Sequence, residues 1–353
     1  MDKKSIELLK IIMETPSPSG YESMLQRVIK REMEKIADEV RVDVMGNVMG
    51  ILHKGGKPRV MLAGHCDEIG LMVKFITPEG YIHFVPIGGV DAHLLPGKRV
   101  YIWHGENKIP GIIGRKPIHI LEEEERKKVS KIEDMFIDIG AKDKKEAESR
   151  VSVGDPVTFQ DDFSILHDEL AVARGFDDRL GAFIILEVLK TLKGKKFSPE
   201  VCGVSTVQEE VGLRGARTSA FSLHPDIGIC IEVAFASDFP GIDKKKVGDV
   251  GLGKGPVISR GPNLNPLLVD KTLEIARKEG IPVQISGEPR GTPTDANVIQ
   301  LTREGVATLL ISVPLRYMHT PSEVISLRDV EDTVRLIASL LQNIYPEDSF
   351  VPV

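Results

Sequence analysis

The chain has 353 residues, 41% of them apolar and 28% charged, with a net charge of −6. That composition is ordinary for a soluble protein, and the length allows one large domain plus a smaller one. The acidic balance argues against a nucleic-acid binder or a protein held on acidic membranes by charge.

Three cysteines, Cys66, Cys202 and Cys230, make no disulfide framework. The charged, amphipathic N-terminus lacks the apolar core and cleavage site of a signal peptide. No stretch approaches the length of a membrane span. The expected location is therefore cytoplasmic.

Apolar spacing at Ile6, Leu8, Leu9 and Ile12 predicts a helix over 5–14, stopped by the PSPSG stretch. A second amphipathic helix follows over 22–36. Segments 40–44 and 48–53 read as a strand pair around Met45-Gly46-Asn47. The run Val60-Met61-Leu62-Ala63 reads as a buried strand of an open α/β sheet, with His65 and Asp67 just past its end. From about 71 to 160, short β-prone runs at 71–76, 81–85, 99–103 and 156–159 alternate with Gly and Pro turns. Charged stretches at 122–128 and 142–148 read as solvated faces. This region reads as a mostly β insert, a small barrel or sandwich.

The α/β rhythm resumes at Leu170. Asp177-Asp178-Arg179 precedes a helix over 180–192, with a capping role open to either aspartate. Strands over 201–207, 227–233, 283–286 and 308–313 alternate with helices near 214–221, 265–279 and 295–303. The last helix, 327–344, carries a capping signal at Ser326-x-x-Asp329. The expected fold is α/β, a doubly wound mixed sheet with helices on both faces, interrupted by the β insert.

In such sheets, active groups gather outside the carboxyl ends of the strands. Alone, His65-x-Asp67 is more often a hydrogen-bonded loop pair. Other runs end the same way: 201–207 in Gln208-Glu209-Glu210, 227–231 in Glu232, 308–313 ahead of His319, and Asp177 opens the helix after 173–176. Two histidines and at least three carboxylates suit Zn²⁺, Co²⁺ or Mn²⁺. One His and one carboxylate per ion, plus a shared Asp, make a two-metal site. A further carboxylate can serve as general base, and the tandem Glu209-Glu210 supplies both roles.

Together these residues resemble the tetrahedral (TET) aminopeptidases, dinuclear metallopeptidases that include glutamyl and deblocking aminopeptidases. The resemblance spans the chain and rests on AGHCDEIG at 63–70, ARGFDDRLG at 173–181, VQEEVGLRGARTSA at 207–220, IEVAFASDFPG at 231–241 and RYMHT at 316–320. It implies a metallo-exopeptidase catalytic domain from residues 1–67 and 166–353, and a small β-barrel dimerisation insert at 68–165. It implies two divalent ions per subunit, Zn²⁺ first and Co²⁺ or Mn²⁺ next. Asp177 would bridge them, His65 and Glu232 would complete one position, and Glu210 and His319 the other. Glu209 would be the general base and Asp67 the support for His65.

The implied activity is removal of N-terminal residues from peptides by a two-metal-activated water, with acidic residues preferred as in some relatives. The implied partners are peptide substrates and copies of the chain, as a dodecamer built from dimers. Three departures stand out. Glu232 replaces the usual Asp, Cys66 replaces the usual Met, and the GGTDA loop appears as Gly291-Thr292-Pro293-Thr294-Asp295-Ala296. Cys66 is expected to point away from His65 and Asp67 as an inert buried thiol. Rival readings are a carboxypeptidase or aminoacylase on the same site, and a non-catalytic assembly protein on the same scaffold.

Overall fold

The computed structural model describes residues 1–160 and 163–353. Three strands come first: β1 (Glu39–Val42), β2 (Val48–Leu52) and β3 (Arg59–His65). The next six are β4 (Gly70–Ile76), β5 (Ile82–Ile87), β6 (Arg99–His104), β7 (Asn107–Gly114), β8 (Phe136–Asp138) and β9 (Pro156–Phe159). They close a barrel in the order β4-β5-β8-β7-β6-β9. Then come β10 (Ser164–His167), β11 (Leu170–Ala173), β12 (Glu200–Thr206), β13 (Ile227–Phe235), β14 (Val257–Arg260), β15 (Gln284–Gly287), β16 (Ala307–Arg316) and β17 (Glu323–Ser326). With the first three they form an eleven-stranded sheet ordered β1-β2-β12-β3-β13-β16-β17-β11-β10, from which β14 branches off β16 and β15 off β14.

The middle strands β12, β3, β13 and β16 are parallel, so their carboxyl ends share one edge. Period-two alternation divides β3 between the two faces. Val60 and Leu62 pack in the core beneath the helices Lys3–Glu14, Ser23–Glu34 and Phe176–Leu192. Met61 and Ala63 face the helices Arg214–Leu223 and Ala296–Gln300. The sheet is therefore covered on both faces, as its near-continuous apolar runs require. The barrel keeps its own core around Leu71, Val73, Val100, Ile102, Ile137 and Val157.

Several elements differ from their sequence patterns. Strand β7 has no counterpart in the reading of the sequence because Pro110, Gly111 and Gly114 look like breakers. The two glycines leave room for larger neighbours, while Pro110 is exposed: a Cβ on Gly111 would stand 2.6 Å from Ile137 and one on Gly114 2.7 Å from Phe136. At the last helix, Ser326 makes no side-chain cap. Asp329 instead accepts the N–H groups of Gly253 and Gly255, each at 2.7 Å. The helix expected over 180–192 starts at Phe176, yet Asp177 and Asp178 are non-helical, and Asp178 caps the regular part by accepting the Gly181 N–H at 3.0 Å. The expected insert, 68–165, includes residues 161 and 162, which lie outside the described residues.

Candidate active site

Gly64 is where β3 meets the helix Phe176–Leu192. A Cβ there would stand 2.6 Å from the Gly181 backbone. This close approach brings His65, at the strand end, beside Asp177. His65 Nε2 lies 3.3 Å from Asp177 Oδ1, 3.8 Å from Glu209 Oε2 and 4.0 Å from Glu232 Oε2. His319 Nε2 lies 3.3 Å from Asp177 Oδ2 and 3.4 Å from Glu210 Oε1. Asp177 thus turns one oxygen to each histidine. The tandem glutamates diverge, Glu209 toward His65 and Glu210 toward His319.

Asp67 stands behind them, fully buried. Its carboxylate accepts the Ser19 hydroxyl at 2.6 Å and the backbone N–H groups of Glu209 and Glu210 at 3.0 and 3.1 Å. His65 Nδ1 donates to the Asp67 carbonyl at 3.0 Å, with the carboxylate farther off at 3.5 Å. His319 Nδ1 donates to the carbonyl of Gly89, a residue just after barrel strand β5, at 3.0 Å.

A carbonyl oxygen can only accept, so each histidine carries a proton on Nδ1. A neutral ring then presents a bare Nε2 to carboxylate oxygens. That contact repels unless a metal cation lies between or a second proton sits on Nε2. Glu232 Oε1 and Asp178 Oδ2 are buried with no hydrogen-bond partner, which is costly unless an ion uses them. The donor atoms of His65, Asp177 and Glu210 lie within 4.8 Å of one another, and so do those of His65, Asp178 and Glu232. Imidazole nitrogens and carboxylates without a thiolate fit a borderline or hard divalent ion. Cys66 lies in the apolar core, and burial pushes its thiol well above the usual range.

The electrostatics of the polypeptide alone follow from this crowding. His319 is pushed up to about 11 by Asp177 and then Glu210. Burial pushes the Glu209 carboxyl up to about 8, against the pull of His65. Burial and Asp178 hold Glu232 well above the usual carboxyl range. Asp177 stays below it, because His319 and His65 outweigh the effect of burial.

Four participants were missed in the sequence. Asp178 is masked by its neighbour. Gly89 acts through its carbonyl. Asp295, 1% exposed, accepts the Thr206 hydroxyl at 2.6 Å and is raised to about 6 by burial. Glu323 accepts the N–H groups of Asp177 and His319. Of these, Asp295 had a sequence signal, its place in the 291–296 loop.

A cleft of about 690 Å³ opens from the cluster. Val233, Phe235, Val250 and Met318 give it apolar walls. Strands β14 and β15 and the loop after them supply Ser259, Ser286, Glu288 and Thr292. Ser286 donates its hydroxyl to Glu288 at 2.7 Å. Among the described residues no Lys or Arg lines the cleft.

Residues 46–336 match the family described as M42 glutamyl aminopeptidase. The lysyl aminopeptidase of Pyrococcus furiosus is 39% identical over 98% of this chain and 99% of its own. A TET aminopeptidase from the marine sediment archaeon Thaumarchaeota archaeon SCGC AB-539-E09 superposes with a TM-score of 0.92 at 40% identity, covering 97% of this chain and 96% of that one. The Pyrococcus horikoshii TET1 peptidase, described as assembling into a tetrahedron or a large octahedral shell, gives 0.87 at 36% identity over 96% of this chain and 100% of that one.

Proposed function

This chain belongs to the M42 glutamyl aminopeptidase family, and we propose that it is a metal-dependent aminopeptidase working with two divalent ions per subunit. The observation that carries the proposal is Asp177, whose two oxygens each face a histidine Nε2 at 3.3 Å. Asp177 would be shared, His65 and Glu232 would hold one ion, and Glu210 and His319 would hold the other. Zn²⁺ is the first choice, Co²⁺ or Mn²⁺ the next. Bound there, such ions supply Lewis-acid polarisation of the scissile carbonyl and a lowered pKa for water.

Like His319, Glu209 belongs to neither group of clustered donor atoms, but it lies 3.8 Å from His65 Nε2 where His319 Nε2 lies 3.3 Å from Asp177. It takes the proton from the attacking water and returns it to the leaving amine. Asp67 holds the backbone from which Glu209 projects, and the apolar cleft walls exclude bulk water from the reacting bond.

Against a preference for acidic N-terminal residues, which the resemblance implies, stands the charge of the cleft. Among the described residues the cleft offers an N-terminal side chain one acid beyond the cluster, Glu288, and no lining Lys or Arg. A basic side chain matches that charge, in keeping with the lysyl aminopeptidase among the relatives. The proposal also takes residues 68–165 as a dimerisation insert, and a homo-oligomer of dimers reaching a dodecamer, after the likeness to the self-assembling TET1 peptidase. Light scattering tests the assembly. Among the described residues no helix is long and apolar enough to cross a membrane; the cytoplasmic location read from the sequence belongs to this proposal.

The deciding experiment strips the protein with a chelator, adds back Zn²⁺, Co²⁺ or Mn²⁺, and assays aminoacyl-anilides beside amino-blocked and carboxyl-blocked peptides. Activity should return with metal and require a free amino end. Cleavage of amino-blocked peptides would favour a carboxypeptidase or aminoacylase. No hydrolysis of any peptide by metal-loaded protein would favour a non-catalytic assembly protein.

A further inference from the structure

Asp177 and His319, two of the residues assigned above to metal, lie on irregular backbone, as does Glu210 in the turn after β12. Asp177 is non-helical, with φ −76° and ψ 110°, despite standing at a helix start. His319 has φ +59°, in the left-handed region that residues with a side chain seldom adopt. By contrast His65 and Glu232 lie within β3 and β13, where ladder hydrogen bonds fix the backbone.

What joins Asp177 and His319 is Glu323, 2% exposed at the start of β17. Its Oε2 accepts the Asp177 N–H at 3.1 Å and its Oε1 the His319 N–H at 2.9 Å. β17 pairs antiparallel with β11, setting Glu323 opposite Ala173, and also with the end of β16. The strand that enters Asp177 and the strand that leads to His319 are thus tied to the element that carries the clamp. Both oxygens of Glu323 are occupied by N–H groups, and Glu323 belongs to neither cluster of potential metal donors among the described residues.

We infer that Glu323 is a positioning residue that sets the spacing of Asp177 and His319, and so acts on the His319–Glu210 position through two ligands and on the His65–Glu232 position only through the shared Asp177. The inference rests on the two-metal reading. Its signature is asymmetry. Glu323→Gln keeps one acceptor oxygen but turns an NH₂ group toward the other N–H, so one clamp bond becomes a donor–donor clash. Partners of metal ligands typically contribute ten- to a hundredfold in affinity.

The experiment is a Zn²⁺ titration of metal-stripped wild type and Glu323→Gln, with a chromophoric chelator as competitor and bound zinc counted by mass spectrometry. Wild type should bind two ions per subunit. Glu323→Gln should bind one about ten- to a hundredfold more weakly and the other with a smaller loss, and raised zinc should restore its kcat. Equal weakening of both positions, or of neither, overturns the role of Glu323 and leaves the two-metal reading standing. A wild type that binds fewer than two ions overturns both. Should Glu323→Gln fail to fold, hydrogen exchange on metal-free wild type decides. Segments containing Asp177 and His319 should be protected before metal is added, and full exchange of both within seconds overturns the clamp.

Discussion

Asp67 Oδ1 accepts the backbone N–H of Glu209 at 3.0 Å, and Oδ2 that of Glu210 at 3.1 Å. The carboxylate two residues past a strand end therefore acts chiefly on the tandem glutamates, while its backbone carbonyl fixes the His65 ring. Asn has a single acceptor oxygen, so Asp67→Asn must leave one of these buried N–H groups without a partner. Loss of one buried partner costs about 1–3 kcal/mol. A displaced Glu209 lowers kcat/KM by about ten- to a hundredfold. Thermal unfolding and steady-state kinetics check both, and a variant within twofold of wild type in activity would refute this role.

Glu209 and Glu210 are adjacent in sequence but point to different histidines, so their substitutions should separate by metal content. Glu209→Gln should keep bound zinc at the wild-type level and lose about 10²- to 10⁴-fold in kcat, the usual worth of a general base. Glu210→Gln should lose zinc from the position shared with His319, and its activity should recover in part at raised zinc. Metal analysis beside kinetics gives the answer. Zinc loss in Glu209→Gln with retention in Glu210→Gln would exchange the two roles.

Why the site was legible is a matter of edges. The parallel strands β12, β3, β13 and β16 announce themselves as apolar runs, and the chemistry beyond their carboxyl ends falls on one edge wherever the helices lie. Glu323 and Gly89 were not legible because each acts on backbone through pairing that is distant in the chain. Glu323 reaches Asp177 only because β17 lies against β11, and the Gly89 carbonyl meets His319 only because the barrel stands beside the sheet. β7 was hidden for a related reason. Its glycines and proline look like turn residues until Ile137 and Phe136 are known to pack against Gly111 and Gly114.

Glu288 stands in the cleft wall, held by the Ser286 hydroxyl at 2.7 Å. It is half-exposed, so solvent screens it, and its pairing with a substrate ammonium is expected to be worth up to about 1 kcal/mol. Glu288→Gln should therefore lower the preference for Lys- over Leu-anilide by about two- to fivefold with little change in kcat. Glu288→Lys should favour Glu-anilide over Lys-anilide. An unchanged ranking in both variants would remove Glu288 from substrate selection.

Arg179 has no exposed surface. Its guanidinium donates to the carbonyls of Thr15 at 2.8 Å and Gly175 at 3.0 Å, and lies 3.3 Å from Glu68 Oε1. It ties the end of the first helix to the turn that enters Asp177. Arg179→Leu removes these donors and leaves several buried carbonyls without their partner. A loss of about 3–5 kcal/mol is expected, as for breaking a buried ion pair. Arg179→Lys keeps the charge but not the planar fork, so its loss should be intermediate. Urea unfolding measures both, and a loss below 1 kcal/mol for Arg179→Leu would contradict the account.

Without metal, Asp177 and then Glu210 push His319 up from its ordinary 6.5 to about 11. The metal-free chain therefore holds a proton on His319 Nε2 throughout the neutral range. Because the folded pKa is raised, the stability this proton gives is fully present below 6.5 and is lost as pH climbs toward 11. A metal ion needs the same nitrogen and must displace the proton. Zinc affinity should therefore rise with pH, about tenfold per unit for each proton released. The two dependences have opposite signs. The metal-free protein loses this contribution as pH rises, while the gain from zinc grows. The difference in unfolding temperature between zinc-loaded and stripped protein should widen from pH 6 to pH 8. Calorimetric titrations in buffers of different ionisation enthalpy should show proton release on binding. A difference that stays flat or narrows would mean that His319 gives up no proton to the ion.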